Sequence, residues 1–116
     1  MAKEITKILG QAVPSDVNTE KDLYFTPEDR QSVISSIVVT NEDSGAITFK
    51  LAIVPDKDNT TTSGKHYIRF NKSIAIAGND DIKLGITMEE FSVIRFEANS
   101  LLVGFSVFGV ELGQEE

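Results

Sequence analysis

The chain has 116 residues, 41% of them hydrophobic and 25% charged, which is the length and composition of one globular domain. Eighteen acidic residues against 11 Lys and Arg give a formal net charge of −7, which disfavours nucleic acid and anionic membranes as partners. The absence of cysteine excludes disulfides, thiolate nucleophiles and Cys-based metal sites.

The first predicted element lies within residues 3–13 and ends at Pro14. It carries four large apolar side chains, Ile5, Ile8, Leu9 and Val13. Charged residues interrupt this apolar stretch, so we expect no secretory signal. Two arrangements suit the segment. It is either an extended arm that adds a strand to a neighbouring subunit or the first strand of the chain's own sheet.

The next three predicted strands follow closely. The stretch DLYFTPEDR, residues 22–30, gives a short strand that Pro27 stops. The β-branched run SVISSIVVT (32–40) and the alternating ITFKLAIV (47–54) give two longer strands. Strict alternation in the first of these puts Val33, Ile37 and Val39 on one face. The polar NEDSGA between them predicts a hairpin.

The middle of the chain begins with a loop. Residues 55–65, PDKDNTTTSGK, hold no large apolar side chain and predict a long exposed loop. A strand follows at 66–70. The segment SIAIAGNDDIKLGITM, residues 73–88, then predicts two short strands around a Gly-Asn-Asp-Asp turn, and MEEF (88–91) predicts one helical or 3₁₀ turn.

The last two predicted strands, 92–98 and 101–112, are separated by Asn99 and Ser100, which predict a tight hairpin. The final strand is apolar on both faces, so one face is either covered or lines an interface. One face carries Leu101, Val103, Phe105 and Val107, and the other carries Leu102, Phe108 and Val110. The candidate interface is therefore Ile5, Ile8, Leu9, Val13, Leu102, Phe108 and Val110.

About eight short strands with regular turn signals and no long helix predict an all-β fold. We expect a single-domain β-sandwich of jelly-roll type. The sandwich covers residues 14–112, after the arm or first strand at 1–13 and before an acidic tail at 113–116.

No catalytic motif is found. His66 is the one histidine, and a lone histidine without cysteine makes a poor transition-metal site. TTTSGK resembles the end of a phosphate-binding loop, but Asn59 and His66 occupy the positions of its first Gly and its Ser or Thr. We therefore expect a protein that is not an enzyme and that uses no cofactor.

Three groups of polar or aromatic residues have simpler explanations than a site. The Asp and Asn residues at 56–59 and 79–81 offer oxygen ligands, but neither group fits a twelve-residue calcium loop, and both suit turns. Glu89 and Glu90 are neighbours in sequence and predict a solvated surface. Most of the seven Phe lie at strand positions and predict a core.

Six segments in order give a resemblance to a known family. ILGQAVPS, DLYFTP, SVISSIVVTN, KLAIVP, LGIT and FSVFGVEL together resemble the small β-sandwich virion structural proteins of tailed bacteriophages. The likeness spans nearly the whole chain and lies in the order and spacing of the segments. It implies a repeated component of the virion and no catalytic residues. The loop at 55–65 and the ending GQEE depart from the family pattern.

Within the virion, we expect first a capsid decoration or cement protein that stabilises the shell by bridging neighbouring subunits. Its partner would be the major capsid protein, and it would form a homo-oligomer, with a trimer expected first. A tail, neck or fibre-attachment component is the alternative within the virion. A carbohydrate-binding module is the second alternative, and it would need exposed aromatic side chains.

Overall fold

The computed structural model describes residues 7–59 and 62–113. These residues form eight strands and one short 3₁₀ turn, which confirms the predicted all-β class. The strands are β1 Lys7–Ala12, β2 Lys21–Phe25, β3 Arg30–Asn41, β4 Ile47–Val54, β5 Tyr67–Ile74, β6 Asn79–Met88, β7 Val93–Ala98 and β8 Val103–Gly113, with the 3₁₀ turn at Gly64–His66. No helix of the described ranges is long and apolar enough to span a bilayer.

The strands form two antiparallel four-stranded sheets in the order β1-β8-β3-β6 and β2-β7-β4-β5. The first strand pairs with the last, the second with the seventh, the third with the sixth and the fourth with the fifth. A two-stranded ribbon rolled into a sandwich gives this pattern, which is the jelly roll that the sequence predicts. The described part of the N-terminal segment, Lys7–Ala12, lies in the chain's own sheet.

Both predicted hairpins are wrong. β3 and β4 belong to different sheets, as do β7 and β8, so NEDSGA and Asn99-Ser100 are crossings between the two layers. The one pair of consecutive strands that do form neighbours is β4 and β5, which the long 55–66 connection joins. The segments HYIRF and SI, predicted as separate strands, form the single strand β5. The segment 88–91 forms a turn without helix.

A bulge in β3 corrects the predicted alternation. The pairing register shifts between Ile34 and Ser36 toward both neighbouring strands. Toward β8 the shift leaves Ser35 as an extra residue, whereas toward β6 the extra residue lies on β6. Ile34 and Ile37 therefore both point into the core, where each is fully buried. Val33 points to the outer face, although strict alternation had placed it with Ile37.

The core lies between the two sheets and is filled by aliphatic and aromatic side chains. Phe105 of β8 connects the layers, because its ring packs edge-on to Phe49 of β4 at 5.9 Å between centroids and against Phe96 of β7 at 4.7 Å. All three rings are at most 3% exposed. The burial of these apolar side chains stabilises the two packed sheets from which the loops extend.

The loop after β4 is fixed to the second sheet, although the sequence predicts a long exposed loop. The buried guanidinium of Arg95 donates to Asp22 Oδ1 at 3.2 Å, to Thr62 Oγ1 at 3.1 Å and to the Lys57 carbonyl at 3.1 Å. Thr62 in turn donates to Glu20 at 2.8 Å. Five donors in a rigid fork let one arginine bind several loop groups at once.

Candidate interaction surface

Four loops meet at one end of the sandwich. Because consecutive strands run in opposite directions, every connection that follows an odd-numbered strand lies at the same end. These connections are residues 13–20, 42–46, 75–78 and 99–102. Backbone hydrogen bonds tie them to each other and to the strand ends, including Glu42 N–H to the Leu102 carbonyl at 2.8 Å and Asn18 N–H to the Ala98 carbonyl at 2.7 Å.

Large apolar side chains are concentrated on these loops. Of the eight that are exposed in the described residues, five lie here, and each is 47–59% exposed. They are Val13, Val17, Ile76, Leu101 and Leu102. We call these five residues the apolar tip. Singly exposed apolar residues are ordinary, whereas a group gathered on one set of loops is typical of an interaction site.

Asn41, at the end of β3, joins two of the four loops, 42–46 and 75–78. Its side chain is 3% exposed, and its amide nitrogen donates to the carbonyls of Gly45, Ile74 and Ala75 at 2.9–3.1 Å. Its Oδ1 accepts from Asp43 N–H at 2.8 Å. A buried amide with this many partners fixes the loop backbone, because each lost bond would leave a buried polar group unpaired.

Ser100 and Asp43 fix the two exposed leucines. The Ser100 hydroxyl donates to Asp43 Oδ2 at 2.6 Å and accepts from Leu102 N–H at 3.0 Å. The hydrogen bond from Ser100, followed by the bond from Ser44 N–H, lowers the pKa of Asp43 below its ordinary value. Asp43 is therefore ionised at neutral pH, and it holds the loop that presents Leu101 and Leu102.

Ile76 stands at the top of a tight turn between β5 and β6. Gly78 N–H donates to the Ala75 carbonyl at 2.9 Å, which makes Ile76 and Ala77 the two central residues. Ala77 has a φ of 61°, in the left-handed region that favours glycine. The Asn41 side chain stabilises this conformation, because its amide donates to the carbonyls of Ile74 and Ala75.

The charge on these four loops has one sign. They contain Asp16, Glu20, Glu42 and Asp43 and no Lys, Arg or His. Lys21, the first residue of β2, reaches Asp16 at 3.9 Å. The loops that carry the apolar tip thus contain four carboxylates and no cationic side chain.

The predicted interface residues fall into three places. Val13 and Leu102 belong to the apolar tip. Ile8, Phe108 and Val110 lie on the outer face of the first sheet, whereas Leu9 packs against the core. Ile5 lies outside the described residues. The seven residues therefore do not form one patch.

The outer face of the first sheet is a second, flatter apolar surface. Ile8 pairs with Phe108, and Val110 pairs with Val33, so their side chains are neighbours on one face. Ile8 is 52% exposed, and the other three are half-buried. The neighbouring edge strand carries an ion pair between Lys83 and Asp81 at 3.1 Å. This face therefore has charges of both signs.

Sequence analysis missed three residues of the apolar tip. Val17 occurs in a predicted loop, whereas Ile76 and Leu101 were placed in predicted strands. A large apolar residue within a predicted loop is the signal that marks Val17, because a loop offers no core in which to bury it. Asn41, Asp43 and Ser100 carry no such signal, since their bonds join distant parts of the chain.

The other polar groups take part in local structure. His66 Nδ1 accepts from Ser63 N–H at 3.0 Å in the 3₁₀ turn. Asp56 accepts from Asp58 N–H at 2.9 Å, and Asp80 binds Arg69 at 3.0 Å. Within residues 7–59 and 62–113, no three His, Asp or Glu side chains come together as a metal site.

Comparisons with known proteins do not assign the chain to a family. No family model matches the chain, and no curated protein matches it. Among solved structures, a match is found to a pentameric capsid protein isolated from metagenomic phage sequences, with 18% sequence identity and a TM-score of 0.30. The match covers 90% of this chain and 60% of that one. A TM-score of this size does not establish a common fold.

Proposed function

We propose that the chain is a non-enzymatic structural protein of a tailed-phage virion. Its role is that of a capsid decoration or cement protein, which stabilises the shell by bridging neighbouring subunits. The observation that carries the proposal is the apolar tip. Five exposed apolar side chains stand on loops that buried hydrogen bonds hold in place, as a preorganised contact surface requires.

The polar clusters outside the apolar tip and the sequence resemblance support a role in assembly more than a role in catalysis. Its polar clusters bind loop backbones or form ion pairs, and the resemblance in sequence is to virion proteins. A jelly roll is a common frame for shell proteins, although it also occurs in lectins and enzymes. The fold therefore supports the proposal through its surfaces.

The outer face of the first sheet is where we place contacts between copies of this chain. It is apolar along Ile8, Phe108 and Val110, and it carries both charge signs at its edge. Two copies can meet on such a face without like-charge repulsion and form a two-fold dimer, whereas a trimer would need this face to contact a different surface of the next copy. We expect Phe108→Ser to shift the purified protein toward monomer in sedimentation velocity, whereas Phe70→Ser, an exposed residue of the other sheet, should not.

Two alternatives remain. A tail, neck or fibre-attachment component would use the same surfaces, and copy number separates it from a shell protein. A carbohydrate-binding module has less support, because both exposed Phe rings lie under a lysine. Lys50 Nζ is 4.9 Å from the Phe70 ring centre, and Lys57 Nζ is 5.4 Å from that of Phe25. A sugar would have to displace each ammonium group to stack there.

Deletion of the gene from the phage that carries it tests the decoration role. We expect particles to assemble and package DNA but to release that DNA at a lower temperature than wild-type particles. Expression of the chain from a plasmid during infection should restore the wild-type temperature. Deleted particles with full heat resistance would contradict a cement role.

A further inference from the structure

We propose that the apolar tip binds a different virion protein at an apolar surface surrounded by Lys and Arg side chains. This inference rests on the proposed virion role. It specifies which end of the molecule binds the partner and which side chains the partner presents.

The choice of partner follows from charge. The four loops carry Asp16, Glu20, Glu42 and Asp43 and no cation. Carboxylates at the rim of an apolar contact favour a partner with a cationic rim and raise the rate of encounter with it. The Asp43 carboxylate is held at this rim by the Ser100 hydroxyl at 2.6 Å, a hydrogen bond that also lowers its pKa.

A second copy of the chain fits the tip poorly. Two tips that face each other would bring like charges together, which is unfavourable at a contact. The opposite end of the sandwich offers the tip no uniformly cationic surface, since its loops carry Glu28, Asp29 and Glu89 together with Lys57 and Lys65. A nucleic acid or an anionic membrane is opposed by the same carboxylates.

The geometry suits a contact with a fixed neighbour. Asn41 joins the loops that carry Ile76 and Asp43, and Ser100 joins the loops of Asp43 and Leu102. The tip therefore loses little freedom on binding, and its side chains are already outside the core.

Incorporation into particles tests this directly. The deletion phage is grown in cells that express the wild-type chain or one variant, and the amount of the chain in purified particles is measured by quantitative mass spectrometry. We expect Ile76→Ser and Leu102→Ser each to reduce incorporation about tenfold or more. Phe70→Ser is the matched control, because Phe70 and Ile76 are both 59% exposed.

The charge of the rim has its own pair of variants. We expect Glu42→Gln to reduce incorporation several-fold and to make the bound chain easier to remove with salt. Glu28→Gln, an exposed carboxylate at the opposite end, should behave as wild type. Each variant is first purified and its thermal midpoint compared with wild type, and a misfolded Leu102→Ser is replaced by Leu101→Ser.

The outcomes separate the two proposals. The inference about the apolar tip would be overturned if particles contained the wild-type chain and incorporated the tip variants fully. The proposed virion role would then still stand. Increased incorporation of Glu42→Gln would overturn the cationic partner. A sedimentation coefficient of purified Leu102→Ser below that of wild type would show that a second copy binds the tip. That result would also overturn the inference. Absence of the wild-type chain from particles would overturn both proposals.

Discussion

At Ser100 a single hydroxyl group joins two loops of the apolar tip. It donates to Asp43 Oδ2 and accepts from Leu102 N–H, so it fixes both the carboxylate and the leucine beside it. Leu102 attracts attention in the sequence because it is apolar. Ser100 does not, because its partner Asp43 lies 57 positions away in the chain.

Ser100→Ala should make the protein less stable at neutral pH, and the loss should shrink in acid. Asp43 has a lowered pKa in the folded state, so its contribution is present above the ordinary pKa near 3.8 and is lost as the pH falls through the folded value. Urea unfolding at pH 7 and at pH 3 measures the difference between wild type and variant. The exposed Ser73→Ala is the control, and an equal loss at both pH values for Ser100→Ala would contradict the role of Asp43.

Among the elements, β8 is an interior strand of the first sheet and pairs with both β1 and β3. A Cβ at Gly109 would overlap the Val33 carbonyl oxygen, whereas a Cβ at Gly104 of the same strand would meet nothing within 4 Å. The two glycines therefore form a matched pair for testing how tightly β8 and β3 pack.

Gly109→Ala should lower the free energy of unfolding by about 1–3 kcal/mol, because the backbone of the β3–β8 ladder has to shift. Gly104→Ala should leave it unchanged or raise it by up to about 1 kcal/mol, since glycine weakens a strand interior. Chemical denaturation of both variants measures this. Equal stability of the two variants would show that the close contact at Gly109 does not exist.

The elements also show what periodicity can and cannot predict. Alternation located the strand at 47–54 to the residue, and its register with β7 is continuous, but its faces change after Leu51, where the pairing with β5 shifts and Leu51 and Ala52 are both buried. Alternation failed in β3, where Ser35 bulges out and reverses the faces that follow. Turn residues marked where the chain bends, but they do not say which sheet the next strand joins.

For the molecule as a whole, composition and strand count were enough to predict an all-β sandwich. The strand order could not be predicted from the sequence, because the pairing of β1 with β8 depends on contacts between the two ends of the chain. The apolar tip follows from that order, since only the rolled topology brings four separate loops together. The proposal that the apolar tip is a contact surface therefore depends on the structure.

The central claim is that this chain is a repeated part of a virion shell. Quantitative mass spectrometry of gradient-purified particles from the phage that carries the gene tests it most directly. We expect the chain in every preparation, in an amount comparable to that of the major capsid protein. A few copies per particle would place it in the tail or neck instead, and its absence from the particles would contradict the claim.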